Sequence, residues 1–171
     1  MVEVFDNFFP RDIKLEIFNL LQRPKWSLTG GSNFQRFWHM ENLEEEEYFS
    51  KFLFQKICNK LERSYRFIRI YANGQSCGQC GNPHTDDGDL TFLYFPNPVW
   101  KLYYQGHLIF CEDAKGDPSI DEPTHIIGYK PNRAILFPAN ITHYADAPHR
   151  FYTGMRISLA YKLWEVLNEN E

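Results

Sequence analysis

From residue 66 to residue 163 the chain is cut into apolar runs too short for helices. They are RFIRIY (66–71), LTFLYF (90–95), HLIFCE (107–112), THIIGY (124–129), RAILF (133–137) and GMRISLAYKL (154–163). Turn signals such as "ANG", "NP", "DAKGDP" and "KPN" separate them, which is the pattern of successive strands. Fifteen Phe and ten Tyr suit such a β-rich interior. A series of short strands buries its apolar faces only by folding into a sandwich or a barrel.

The first third of the chain reads differently. Asp6 to Pro24 carries Ile13, Ile17, Leu20 and Leu21 at helical spacing, with Pro10 in the first turn and Pro24 as the stop. "KWSLTG" and "NFQRFWHM" read as two short strands around Gly30, Gly31 and Ser32. Residues 41–62 read as the longest helix, with Phe49, Phe52, Leu53, Ile57 and Leu61 on its buried face. Glu44 to Glu47 read as its solvated start, where negative charge suits the helix dipole. The expectation is an α+β, mainly β, single domain over 1–171, with helices and supporting strands in 1–65 backing a barrel core in 66–163.

Charge and composition exclude several classes. A formal net charge of −4 with scattered Lys and Arg gives no nucleic-acid footprint. No apolar run reaches the length of a membrane span. "MVEVFDNFFPRD" lacks the pattern of a secretory signal, and four Cys in 171 residues do not form a disulfide framework. A cytoplasmic setting is expected.

"GNPHTDDGDL" (81–90) places His84 and Asp86 two apart. Two ligands rarely make a metal site. His143 and His149 lie downstream, and His143 follows the apolar strand "RAILFP". Two imidazoles and one carboxylate leave half of an octahedral ion open, which is the ligand set of non-haem Fe(II) oxygenases. Such chemistry draws electrons from a keto acid, whose far carboxylate needs an anchor. Arg156 offers a rigid, permanently charged fork. Strand alternation puts Arg156, Ser158, Ala160 and Lys162 on one face and Ile157, Leu159, Tyr161 and Leu163 on the other. Arg150 is a rival anchor, but it lies in a loop.

Residues 66 to 162 resemble the Fe(II)- and 2-oxoglutarate-dependent dioxygenases, in particular the prolyl-4-hydroxylase-like branch. "RIYANGQ", "HTD", "TFLYFPN", "QGHLIF", "KPNRAILFPANITH" and "TGMRISL" resemble that branch's motifs in the right order. The resemblance implies a double-stranded β-helix, or jelly roll, with iron at one end. It implies His84, Asp86 and His143 as iron ligands, Arg156 as the 2-oxoglutarate anchor and Tyr71 as an aromatic near the co-substrate. Ser158 is a candidate contact to the same carboxylate. Thr91, Leu93 and Phe95 share a strand face and, with Leu108, are expected in the pocket wall. His107 and His149 are candidates at the substrate entrance; His39 and His125 are expected to be structural or exposed. Gln105 stands at the first of two usual glycines, His107 follows Gly106, Pro131-Asn132-Arg133 replaces Pro-Gly-Arg, and Phe95 replaces a common Tyr.

"CGQC" (77–80) has no second CxxC to complete a zinc site. It reads as a Gly-rich loop lying over the site. The implied reaction hydroxylates a C–H bond with O2 while 2-oxoglutarate becomes succinate and CO2. A peptidyl residue such as proline is the leading substrate. The alternatives are a small-metabolite oxygenase and a metal- or 2-oxoglutarate-binding protein without turnover.

Overall fold

The structure is a computed structural model that describes residues 1–30, 36–111 and 123–166. Its strands are β1 (Glu3–Phe5), β2 (Ser27–Gly30), β3 (Arg36–Met40), β4 (Tyr65–Gln75), β5 (Leu90–Phe95), β6 (Leu108–Cys111), β7 (His125–Ile127), β8 (Arg133–Pro138), β9 (Thr142–Ala145) and β10 (Arg156–Glu165). Helix α1 spans Arg11–Leu20. A 3-10 turn (Leu43–Glu45), a π-helical turn (Tyr48–Leu53) and α2 (Phe54–Leu61) follow β3.

Two antiparallel sheets face each other. The larger has the order β1-β8-β5-β10-β4-β3-β2, and the smaller β7-β6-β9. Between them Leu93, Phe95, Ile135, Phe137 and Ala160 of the large sheet meet Leu108 and Phe110 of the small one. On the large sheet's other face Ile70, Phe92, Leu136, Ile157, Leu159, Tyr161 and Leu163 pack against Ile13, Ile17, Leu21, Phe49, Leu53 and Ile57. The alternation in β10 therefore sends one set of side chains to the helices and the other between the sheets. The fold is mainly β, a jelly roll.

Several boundaries differ from the sequence reading. β4 does not stop at Tyr71 but runs on to Gln75, through the "ANG" read as a turn. It is held there on both edges, with Ala72–Gln75 paired to β10 and Ala72–Gly74 to β3. A Cβ at Gly74 would lie 2.3 Å from the Met155 sulfur, so the glycine serves a close approach and not a turn. Thr142–Ala145 forms a strand where a loop was expected, because it pairs with β6. β1, absent from the sequence reading, pairs with β8. Residues 31–35 and 112–122, which include part of the first predicted hairpin and "DAKGDP", lie outside the described residues.

The helix expected over 41–62 is broken at its start. Asn42 has φ 58° and Glu46 is extended. Tertiary partners capture two members of the acidic run: Glu44 accepts from the Ile70 amide at 3.1 Å, and Glu46 pairs with Arg23 at 2.8 Å and Lys25 at 2.9 Å. Those contacts tie the helical layer to β4 and to the end of α1, while Glu45 and Glu47 remain exposed, as a solvated start requires.

Asn132 fills the turn before β8 with φ 60°. Its side chain accepts from the Phe9 amide (3.0 Å) and the Tyr94 hydroxyl (3.0 Å) and donates to the Phe9 carbonyl (2.8 Å). Asn132→Ala should lower unfolding free energy by about 3 kcal/mol in urea titration, since buried partners lose their bonds. Asn132→Gly should cost about 1 kcal/mol less, because glycine accepts the left-handed backbone.

Candidate metal centre

His84 precedes β5 in an extended segment that lies along β9. His84 and His143 exchange backbone hydrogen bonds at 3.1 and 2.9 Å, and the Asp86 amide donates to the Ala139 carbonyl at 2.7 Å. This pairing brings His84, Asp86 and His143 together, with one donor atom of each within 4.8 Å of the others. Asp86 Oδ1 is 3.4 Å from His84 Nε2, and Oδ2 is 3.3 Å from His143 Nε2. Two donors bound at right angles about 2 Å from one ion lie about 3 Å apart.

Both imidazoles are oriented for ligation. Nδ1 of His84 lies 2.7 Å from the Asn82 carbonyl and Nδ1 of His143 lies 2.8 Å from the Ile141 carbonyl. A carbonyl only accepts, so Nδ1 carries a proton; Nε2 then donates to Asp86 in the imidazolium and offers its lone pair to an ion in the neutral imidazole. Burial alone would raise the Asp86 pKa. Hydrogen bonds from His143 and His84 and the charge of Lys162 outweigh it, and the carboxyl stays well below the ordinary range. The hydrogen bond to Asp86 raises the His84 pKa against burial.

Deeper between the sheets lies Arg156, with 0% exposure. Its Nε donates to the Gly106 carbonyl at 2.8 Å and Nη1 to Gln75 Oε1 at 2.9 Å. The guanidinium lies 5.3 Å from the Phe95 ring centre and 5.1 Å from that of Tyr129. Nη2 is buried with no partner. Burial lowers the Arg156 pKa to about 10, against the opposing influence of Tyr129 and Asp146, so it remains a cation at neutral pH. Gly106 has φ 72°, and a Cβ there would sit 3.0 Å from Arg156 Cδ, so glycine admits the guanidinium.

A cavity of about 50 Å³ joins Arg156 to His84 and His143. Tyr71, Thr91, Leu93, Leu108, Ser158, Asn73, Phe137 and Lys162 also line it. It is smaller than most ligand sites, but it shares Tyr71, Asn73 and His84 with a groove of about 370 Å³ bounded by Phe37, His39, Glu41, Glu44 and Arg69. His84 is half-exposed toward that groove.

Three expected pocket residues sit elsewhere. Phe95 stacks on Tyr129, ring centres 4.2 Å apart, and backs Arg156 without lining the cavity. His107 is one residue out of phase with Leu108, which lines the cavity; it lies beside Gly128. His149 is pinned by its amide to the Tyr104 carbonyl at 2.9 Å and packs against Phe151 with the rings tilted at 51°. His39 lines the groove and is half-buried, and burial lowers its pKa. The "CGQC" loop folds back on the site's support: the Gln79 carbonyl accepts from Gln75 Nε2 at 3.1 Å, while Cys77 and Cys80 are exposed.

Sequence reasoning missed Gln75 and gave Lys162 no role. Lys162 is 2% exposed, and its ammonium contacts Asp86 Oδ2 and lies 3.3 Å from Thr91 Oγ1. Its place on the Arg156 face was already visible in the alternation.

No family model matches the sequence, and no curated protein matches it. Solved structures do resemble it. A prolyl hydroxylase from Trichoplax adhaerens, in complex with a hypoxia inducible factor peptide, aligns with TM-score 0.70 and 14% identity over 96% of this chain and 83% of that one. A 2OG-Fe(II) oxygenase family member from Burkholderia pseudomallei gives TM-score 0.71 and 12% identity over 95% and 84%. The fold is that of the 2-oxoglutarate/Fe(II) oxygenases. A third member of the oxygenase fold, HygX from Streptomyces hygroscopicus with nickel, 2-oxoglutarate and hygromycin B bound, gives TM-score 0.71 and 8% identity over 94% and 81%.

Within this oxygenase fold the buried Asp86–Lys162 pair should be visible in stability. Asp86→Ala strands the ammonium and should cost about 3 kcal/mol without added metal. Adding Lys162→Met should restore most of that loss, and the double-mutant cycle in urea measures the coupling.

Proposed function

We propose that the chain is an Fe(II)- and 2-oxoglutarate-dependent oxygenase that hydroxylates a C–H bond. The observation that carries this reading is Arg156, whose buried Nη2 has no partner and which lines the same cavity as His84 and His143, the two histidines that cluster with Asp86. The donor set suits a hard-to-borderline divalent ion that keeps open positions. The orphaned fork suits the far carboxylate of a dicarboxylic keto acid.

His84, Asp86 and His143 would hold the iron. Bound iron with the keto acid supplies oxidation of a C–H bond by O2, with release of succinate and CO2. The protein's part is positioning. Gln75 and Gly106 fix two arms of Arg156 so that the third points at the co-substrate, with the Ser158 hydroxyl beside it. Leu93, Leu108 and Phe137 keep water from the reacting centre, and Tyr71 stands between cavity and groove. Phe95, His107 and His149 have no part in this assignment. The whole of 1–171 acts as one catalytic domain, with 66–163 as its core.

The groove beside His84 takes the substrate. It runs across β3 and β4, which supports an extended peptide with a residue such as proline presented to the iron. Its volume of about 370 Å³ equally suits a small metabolite, and that is the second reading. No helix among the described residues is long and apolar enough to cross a membrane. Cys58, Cys77 and Cys80 form no disulfide, in keeping with a reducing cytoplasm.

Anaerobic protein with Fe(II) and 2-oxoglutarate should develop the visible charge-transfer band of the chelate. His84→Ala should abolish the band. Arg156→Ala should require on the order of 10- to 100-fold more 2-oxoglutarate, the worth of hydrogen bonds to a charged group. No band in protein shown to bind Fe(II) would reduce the reading to a metal-binding jelly roll.

A further inference from the structure

The "CGQC" loop is tied to Arg156 by a chain of hydrogen bonds. Arg156 Nη1 donates to Gln75 Oε1 at 2.9 Å, and the other end of that carboxamide, Nε2, donates to the Gln79 carbonyl at 3.1 Å. Ser76 holds Gln79 in turn. The Gln79 amide donates to the Ser76 carbonyl at 3.0 Å, and Gln79 Oε1 accepts from the Ser76 amide at 2.8 Å. These bonds close a turn over 76–79, with Cys77 inside it and Cys80 just beyond. Both thiols are exposed. The loop is pinned at each end. Gln75 pairs with Arg156 in the sheet, and the Gly81 amide donates to the Ala145 carbonyl at 2.8 Å. A Cβ at Gly78 would meet nothing within 4 Å, so the turn between those pins has room to move.

We infer that Cys77 and Cys80 are a site of reversible oxidation, and that a disulfide between them weakens the hold of Arg156 on 2-oxoglutarate. The inference rests on the oxygenase reading and adds a control to it. A disulfide needs its two Cα atoms within about 7 Å. A Cys77–Cys80 bridge therefore closes the chain one residue later than the turn that stands there, and it places Gln79 inside the closed ring. Gln79 then leaves Gln75 and Ser76. Gln75 Nε2 loses its hydrogen bond, and nothing keeps the carboxamide turned with Oε1 toward the guanidinium. The oxidant is a small disulfide such as oxidised glutathione. One cysteine thiolate attacks it and releases one glutathione; the second thiolate attacks the mixed disulfide and releases the other. The two cysteine thiols lose two protons and two electrons, and oxidised glutathione takes them up as two thiols. In a reducing compartment the dithiol is the resting form and such a disulfide is transient.

The test compares the two redox states of the whole chain. Protein is oxidised with glutathione disulfide, freed of it, and loaded anaerobically with Fe(II). 2-Oxoglutarate is then titrated against the visible band of the chelate. Peptide mapping should find the fragment with Cys77 and Cys80 lighter by two hydrogen atoms. The oxidised protein should need about three- to tenfold more 2-oxoglutarate, the worth of one neutral hydrogen bond. A phosphine reductant should restore the first value. Cys77→Ser and Cys80→Ser should match reduced wild type and ignore the oxidant. Gln75→Met should bind 2-oxoglutarate weakly in both states, because its link to the loop is already cut. Without iron or 2-oxoglutarate, the Gln75 side-chain amide signals in an NMR spectrum should shift when wild type is oxidised.

A mapped Cys77–Cys80 disulfide that leaves the 2-oxoglutarate titration unchanged would overturn the inference. So would free thiols, or two separate glutathione adducts, after full exposure to the oxidant. No chelate band in reduced protein shown to bind Fe(II) would instead overturn the oxygenase reading.

Discussion

β10 is the constraint on which this molecule depends. It lies inside the large sheet, paired to β4 along its whole length and to β5 along half of it. Residues Arg156 to Leu163 are all buried, so neither face of the strand can compromise with water. One face must match the apolar helices, and the other must satisfy two cations between the sheets. A slip of one residue would drive Arg156 and Lys162 into the helical core. The two pairings forbid that slip: Arg156 stands opposite Gln75, and Lys162 stands opposite Thr91. The register of one strand thus sets where the deep fork and the metal-side ammonium sit.

What the sequence made legible follows from periodicity. The two faces of β10 could be read residue by residue, because strand alternation is exact over a long run. His84, Asp86 and His143 were readable as a set because histidine is scarce, with six in the chain, and two of the six flank apolar strands, one of them two residues from an aspartate. Gln75 was hidden for a specific reason. "ANG" is a strong local turn signal, and only pairing on both edges of β4 overrides it. Propensity is local, and that pairing partner lies about eighty residues away. Thr142–Ala145 was missed similarly, since so short a strand exists only by virtue of β6.

The pocket wall was half-legible. Thr91 and Leu93 line the cavity, yet Phe95, on the same face, passes behind Arg156. Alternation tells which way a side chain points but not how far along the strand a cavity extends. His149 had only its loop position to recommend it, and His107, at the head of the HLIFCE strand, is out of phase with Leu108; neither lines the cavity. In the acidic run, the charge count implied solvent, which holds for Glu45 and Glu47, whereas Arg23, Lys25 and the Ile70 amide recruit Glu46 and Glu44. Whether a charge run is solvated depends on distant partners that a local window does not contain.

The two cations of β10 differ in how their charge is met, and that difference carries functional weight. Lys162 has its anion inside the protein, in Asp86. Arg156 has none in contact: its bonds go to a carbonyl and an amide oxygen, both neutral. Tyr129, packed against it, cannot serve, because burial drives its pKa far above neutral and it stays a phenol. A guanidinium with a pKa of about 10 is still charged at neutral pH, and burying it costs several kcal/mol unless something compensates. Two aromatic faces and two hydrogen bonds offset part of that cost. The remaining donor, Nη2, has no partner, and Arg156 lines the cavity that reaches His84 and His143. On the proposed oxygenase reading, a fold that gives Lys162 an internal anion and Arg156 none in contact holds Arg156 ready for an anion from outside. A carboxylate matches the fork, and its other end must reach the metal side. Those two demands select a short dicarboxylate over a simple anion.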